Sequence, residues 1–183
     1  MHGIDASEAM VAKLRAKPGG KDIPVTIGDF ADVGVEGHFR LIAIVFNTLW
    51  ALLTQEDQVR CVRNVAEHLT KDGTLVTEIY VPDPARFDRG QRMHARTIES
   101  RRVVLEASQH DPEHQRVSSQ LIALEDGGGV SMFPVELRYI WPSELGLMAE
   151  LAGLRLRERW GGWKREPFES TDWCVSVFES TSA

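Results

Sequence analysis

Residues 39–46 read Phe-Arg-Leu-Ile-Ala-Ile-Val-Phe, a nearly unbroken apolar run. A run of this kind fits a strand whose sheet is covered by helices on both faces. The downstream residues 54–80 fix the connection. Thr54 with Asp57 three residues on makes a capping-box-like start, Val59, Val62, Val65, Ala66 and Leu69 recur at helical spacing, and Lys71-Asp72-Gly73 stops the series. A second buried strand is predicted over 74–80. Strand, helix and strand with short connections form a right-handed crossover between parallel neighbours. The chain is therefore expected to build an α/β fold around a mostly parallel, Rossmann-like sheet, with 39–46 in a central position.

Upstream, a short apolar stretch ends at Asp5. Ser7 then caps a predicted helix carrying Met10, Val11 and Leu14, which Pro18-Gly19-Gly20 terminates. Pro24 to Ile27 is a further β-type run, ending at Gly28-Asp29-Phe30-Ala31-Asp32. In open α/β sheets ligands sit beyond the carboxyl ends of the strands, and an acid at such an end can hold both ribose hydroxyls. Asp5 and Asp29 each lie just past a short apolar run, so together they read as a nucleoside-binding pair. Each also has a local alternative: Asp5 as a helix cap ahead of Glu8, and Asp29 as a cap of the Gly28 turn.

The pattern then changes period. Segments 101–109, 116–125 and 130–139 alternate two by two, with Val103, Leu105 and Ala107 on one face of the first and Phe133, Val135 and Leu137 on one face of the third. Asp111-Pro112-Glu113 and Asp126-Gly127-Gly128-Gly129 join them as turns, which predicts an antiparallel insertion able to wall a substrate pocket. Trp141-Pro142-Ser143 opens a last helix with Leu145, Met148, Leu151 and Ala152 inward and Gly153 at its end. Strands at 155–160 and 173–178 close the chain as an antiparallel pair around a loop rich in Gly, Trp and Pro. The organisation expected is one domain: a nucleoside-binding half (1–84), the insertion (85–140) and a C-terminal helix and strand pair (141–183).

Composition narrows the partners. With 21 Lys and Arg against 27 Asp and Glu the formal charge is −6, which argues against a nucleic-acid partner needing broad phosphate neutralisation. Cys61 and Cys174 fit no metal spacing and read as free thiols of a reducing compartment, so a cytoplasmic location is expected. No apolar run approaches the ~20 residues that span a bilayer, and no signal segment is visible, so no membrane association is expected. His110 and His114 flank Asp111-Pro112-Glu113, but Pro112 forbids helical presentation, so a solvated turn and no metal site is the expectation.

The order of these elements, with Gly3-Ile4-Asp5-Ala6-Ser7-Glu8-Ala9-Met10, Gly28-Asp29-Phe30 and Leu75 to Tyr80 after a glycine-containing turn, resembles the class I S-adenosylmethionine-dependent methyltransferases. The resemblance is to the small-molecule branch, which includes sugar N-methyltransferases and glycine methyltransferase-like enzymes with a similar antiparallel insertion. It implies S-adenosylmethionine as cofactor and a small-molecule acceptor, in an enzyme of this class. It also implies that Asp5 binds the ribose hydroxyls, that Ala6 and Met10 line the adenosine side, and that Asp29 accepts from the adenine amino group. Phe30 would contribute a backbone donor or ring contact, and Phe46 and Asn47 would lie beside the sulfonium. Asn47 and Tyr139 are the catalytic candidates, with Tyr80, Arg138 and Trp163 as further pocket residues. Phe46 and Asn47 also fit the plain end of a buried strand, and Trp160, Trp163 and Phe168 also fit packing roles.

The sequence departs from that family in one respect. The family's first strand and its glycine-rich turn, which approach the methionine part of the donor, have no counterpart here and would precede Met1. That strand lies mid-sheet, so without it the flanking strands lack ladder partners, at about 1–3 kcal/mol for each buried group left unpaired. Two other functions share these features: an inactive or regulatory relative that dimerises, and a nicotinamide (NAD)-dependent oxidoreductase, whose fold also places an acid after the second strand. A homodimer is the assembly considered.

Overall fold

The computed structural model describes residues 1–32, 34–169 and 172–181. Its first unit is a parallel pair, β1 (Gly3–Asp5) and β2 (Val25–Ile27), with Asp5 opposite Ile27. Helix α1 (Glu8–Arg15) connects them, and the Ser7 hydroxyl accepts from the Met10 amide at 3.3 Å, as the capping pattern requires. No α1 residue is buried.

β3 (Phe39–Ile44), α2 (Gln55–Glu67) and β4 (Leu69–Tyr80) form the expected crossover, with β3 parallel to β4. The Thr54 hydroxyl accepts from the Asp57 amide at 3.1 Å and starts α2. Its downstream boundary differs from the expectation. Leu69 to Gly73 are not the last turn of the helix but the first part of β4, and the ladder jumps from Phe39 opposite Leu69 to Leu41 opposite Thr74. The extra residues bulge, and Gly73 is needed there because a Cβ would stand 2.8 Å from the Thr70 carbonyl oxygen and 2.9 Å from that of Phe39.

The position of β3 is a second correction. It is an edge strand, hydrogen-bonded to β4 alone among the described strands, in a sheet of order β3-β4-β10-β9 that includes the antiparallel pair β9 (Leu154–Trp160) and β10 (Trp173–Ser180). Leu41 is accordingly 60% exposed. β1 and β2 form a separate two-stranded sheet, so β3, an apolar strand suited to an interior position, has one edge with no strand partner among the described residues.

The insertion has four strands, not three: β5 (Gln91–Glu99), β6 (Arg102–Asp111), β7 (Arg116–Glu125) and β8 (Val130–Arg138), in a simple meander. β5 is polar on both faces apart from Met93, Ala95 and Ile98, which hides it from a reading based on apolar alternation. The turn at Gly127 and Gly128 has positive φ at both glycines, as the hairpin reading requires. Helix α3 (Pro142–Leu151) buries Leu145, Met148 and Ala149, whereas Leu151, expected inward, is exposed.

The main core lies between the four-stranded sheet and helices α2 and α3, where Cys61, Val62, Leu75, Ile79, Leu145, Met148 and Phe178 are buried together. Both cysteines are free and buried. Burial, with the nearby Asp29 carboxylate adding to it, pushes the Cys61 thiol up to about 12, so this sulfur is a packing group and not a nucleophile. Among the described residues no helix is long and apolar enough to cross a membrane.

Candidate active site

At the carboxyl end of β3 the chain makes a turn in which Phe46 and Asn47, neither of them glycine, both have φ of 56°. Two consecutive left-handed residues cost energy that surrounding contacts must offset. Here β4 supplies them. Glu78 takes the Phe46 amide on its carboxylate at 2.9 Å and the Asn47 amide on its backbone carbonyl at 3.1 Å, and the Asn47 side-chain oxygen accepts from the Tyr80 amide at 2.6 Å. The second Glu78 oxygen accepts from the Trp163 indole at 2.5 Å. Glu78 is only 5% exposed and has no ion pair among the described residues. The clamp leaves Phe46 79% exposed at the strand tip.

Beside this turn opens a cavity of about 660 Å³, walled on one side by Phe46, Asn47, Trp50 and Tyr80 and on the other by the inner face of the meander. Val117, Leu121, Val135 and Leu137 make part of that inner face apolar. These include the β8 residues whose alternation suggested a pocket wall. Val103, Leu105 and Ala107 lie on the opposite face, since Leu105 pairs with Ile122 while Glu106 pairs with Leu121. Tyr80 stacks on Trp173 with ring centroids 3.8 Å apart, and the buried Trp50 indole nitrogen has no hydrogen-bond partner among the described residues.

Tyr139 sits in this cavity, nearly buried, with its hydroxyl 3.0 Å from His110 Nε2. His110 is stacked on Phe87 at 4.7 Å. Burial raises the Tyr139 phenol above its ordinary range against the opposing charge of Arg138, so it is a neutral hydroxyl within hydrogen-bonding distance of His110 Nε2. His110 is a correction: it belongs to β6 and faces the pocket, while His114, in the turn, pairs with Asp111 at 2.8 Å. Sequence reasoning grouped the two histidines because they are close in the chain, but β6 ends between them, leaving His110 on the strand and His114 in the turn.

Two other pocket candidates are placed elsewhere. Arg138 is buried in a structural network, donating to Glu144 and Gln115 at 2.8 Å each and to the Gln58 side chain. Trp163 is held by Glu78 and does not line the cavity.

Asp5 and Asp29 stand at the same end of the β1–β2 pair, Asp5 as the last residue of β1 and Asp29 two residues past Ile27. Each spends one oxygen locally: Asp5 Oδ1 accepts from the Ser7 amide at 2.8 Å and Asp29 Oδ1 from the Ala31 amide at 2.9 Å. Among the described residues no salt bridge engages either carboxylate, and the second oxygen of each accepts no hydrogen bond. Ala6 and Met10 are exposed nearby, whereas Phe30 packs against the core. The cavity thus brings together Phe46, Asn47 and Tyr139, and Asp5, Ala6, Met10, Asp29 and Phe30 are not part of its lining.

No family model matches the sequence. The chain is similar to the methyltransferase CcbJ from Streptomyces caelestis, with 38% identity and a TM-score of 0.93 over 99% of this chain and 74% of that one. It is 25% identical over 168 residues, 90% of this chain and 67% of the relative, to a cypemycin N-terminal methyltransferase from a Streptomyces species. A further solved structure, an amino pentose methyltransferase from Micromonospora echinaspora with bound S-adenosylmethionine, shares the fold at 20% identity and a TM-score of 0.68, covering 96% of this chain and 72% of that one. The fold and these likenesses define a class: an enzyme-type Rossmann-like sheet that works with S-adenosylmethionine. The chain belongs to the class I S-adenosylmethionine-dependent methyltransferases, and methyl transfer, not nicotinamide chemistry, is the function they support.

Proposed function

We propose that the chain methylates the amino group of a small molecule held in the cavity between the Phe46–Asn47 turn and the meander. Residues 1–84 serve the donor and residues 85–140 wall the acceptor. The observation that carries this reading is the Tyr139–His110 pair, placed inside a largely apolar cavity beside the strand tips. When bound, S-adenosylmethionine supplies an electrophilic methyl group, whose in-line displacement needs alignment and exclusion of water. Asp5 and Asp29 fit that group, since each keeps one carboxylate oxygen without a partner among the described residues for the sugar and the base.

The chain's own residues do the rest. The Tyr139 oxygen accepts a hydrogen bond from the acceptor nitrogen, and its hydroxyl passes the surplus proton to His110 Nε2, keeping the nitrogen lone pair available. Asn47 holds the Phe46 turn in place through Tyr80 and so sets where acceptor and donor meet. The acidic net charge supports a free small molecule over a nucleic acid as acceptor, and two free cysteines support the cytoplasm. The exposed Ile98, Val130 and Met132 on the outer face of the meander support a homodimer.

Tyr139→Phe retains the ring and removes the hydroxyl. With benzylamine as acceptor, kcat is expected to fall about tenfold with KM little changed, read as S-adenosylhomocysteine released. An unchanged kcat would remove Tyr139 from the reaction. Absence of any methylated amine from the unmodified protein would overturn the proposal as a whole.

A further inference from the structure

The cavity is not electrically uniform. Its charged lining is three guanidinium groups, Arg86, Arg92 and Arg96, against two carboxylates, Asp83 and Glu106. Two of the cations are matched: Arg86 pairs with Asp83 at 2.8 Å and Arg96 with Glu106 at 3.2 Å. Arg92 has no ion pair among the described residues, although it is half-buried in a chain of net charge −6. An arginine kept without a partner in a partly dry site is one whose partner arrives from outside.

The sheet register says how far from the reacting end that partner lies. Arg92 is opposite Ser108 on β6, and Ser108 is opposite Ser119 on β7, so these three residues form one row across the inner face. His110 is the next inward-facing residue along β6. Successive residues on one face of a strand are about 7 Å apart, which puts the Arg92 row one step from the His110–Tyr139 pair. Ser108 and Ser119 hydroxyls, 2.8 Å from each other, add hydrogen-bonding capacity to that row. The neighbouring His94 does not add a competing charge, because burial and then the Arg92 guanidinium hold it below its ordinary range.

We propose that the acceptor is an amine that also carries a carboxylate-like anion on the order of 10 Å away, with Arg92 as the residue that selects for it. The apolar stretch formed by Val117, Leu137 and Phe87 accommodates the segment between the two polar ends. This proposal rests on the cavity being the acceptor site. Arg92 contributes through a charge-assisted hydrogen bond that a neutral analogue cannot form.

The test uses the full chain and two probes that differ only at the far end, para-aminomethylbenzoate and its carboxamide. Calorimetry is expected to show the carboxylate binding about tenfold or more tighter than the amide, with the preference shrinking as salt is raised. In Arg92→Gln the two probes bind nearly alike, while Arg92→Lys keeps part of the preference. Arg102→Gln, which removes an exposed partner of Glu125 on the same sheet, leaves the preference intact. Equal binding of both probes by the unmodified protein, or a preference that survives Arg92→Gln, overturns the assignment. If the carboxamide is bound and methylated as well as the carboxylate, methyl transfer stands and only the anion requirement fails; if neither probe binds, the acceptor cavity itself is misassigned and both readings fail together.

Discussion

Replacing Arg138 by alanine is expected to lower the unfolding free energy by about 3 to 5 kcal/mol, read from urea denaturation. The guanidinium is almost wholly buried and ties three parts of the chain together: β8, α3 through Glu144, and α2 through Gln58. Gln58 is fully buried and in turn donates to the carbonyls of Leu49, Leu52 and Arg138 at 3.2, 2.9 and 3.0 Å. Removing the cation leaves the Gln58 and Gln115 side-chain oxygens and the Glu144 carboxylate short of donors in a region water reaches poorly. A double replacement, Arg138→Met with Glu144→Leu, should cost less than the single one, because it removes both halves of the pair.

The same network has a pH signature. Burial alone would raise the Glu144 carboxyl, but hydrogen bonds from Arg138, Gln115 and Gln55 more than offset it and hold the group below its ordinary value. A carboxyl lowered on folding stabilises above its unfolded value, and that stabilisation is lost as pH falls through the folded one. Acid sensitivity in the range below about pH 4.5 should therefore be flatter in Arg138→Ala than in the unmodified chain. An unaltered acid profile together with a loss under 1 kcal/mol would show that the network is not what joins the helices to the meander.

Asp5→Asn is expected to weaken S-adenosylhomocysteine binding by about ten- to a hundredfold, the value of charge-assisted hydrogen bonds to a ribose. The substitution is chosen for what it keeps. Asparagine retains a side-chain oxygen for the Ser7 amide, so the start of α1 and the thermal midpoint should be preserved, while the carboxylate charge disappears. A merely structural cap predicts the reverse, with affinity unaffected. Competition binding against a fluorescent adenosine analogue separates the two, and equal affinities would leave Asp5 only its turn hydrogen bond from the Ser7 amide.

The crossover unit was legible because its signals are local: the Thr54 cap, the helical spacing of Val59, Val62 and Val65, and the apolar runs on either side. Its errors came from properties that are not local. Leu69 continues the helical period of α2, yet it pairs with Phe39 as a strand residue, and only tertiary pairing decides between the two. The run at 39–46 is as apolar as an interior strand requires, but a strand's neighbours are not written in its own sequence. β5 was missed because the polar Arg92 and His94 alternate with Met93 and Ala95, which leaves too few apolar residues on the strand to mark a core-facing side.

The site was legible to a smaller degree. Phe46, Asn47 and Tyr139 converge on one cavity, although Asn47 acts first on its own turn. Glu78 was overlooked, and the signal for it was a charge inside the otherwise apolar strand 74–80. In a buried strand such a residue conflicts with its surroundings unless it holds something, and here it holds the strained turn. Arg138, by contrast, was over-read: a charged residue at a strand end suggests a ligand contact, but the partners that bury it come from α2, α3 and the residue before β7.

Calorimetric titration of the chain with S-adenosylhomocysteine, repeated in the presence of excess NADH, addresses the donor site most directly. Saturable one-to-one binding that NADH leaves unchanged is the expected result. Displacement of the ligand by NADH, or no binding heat at millimolar concentration, would contradict it.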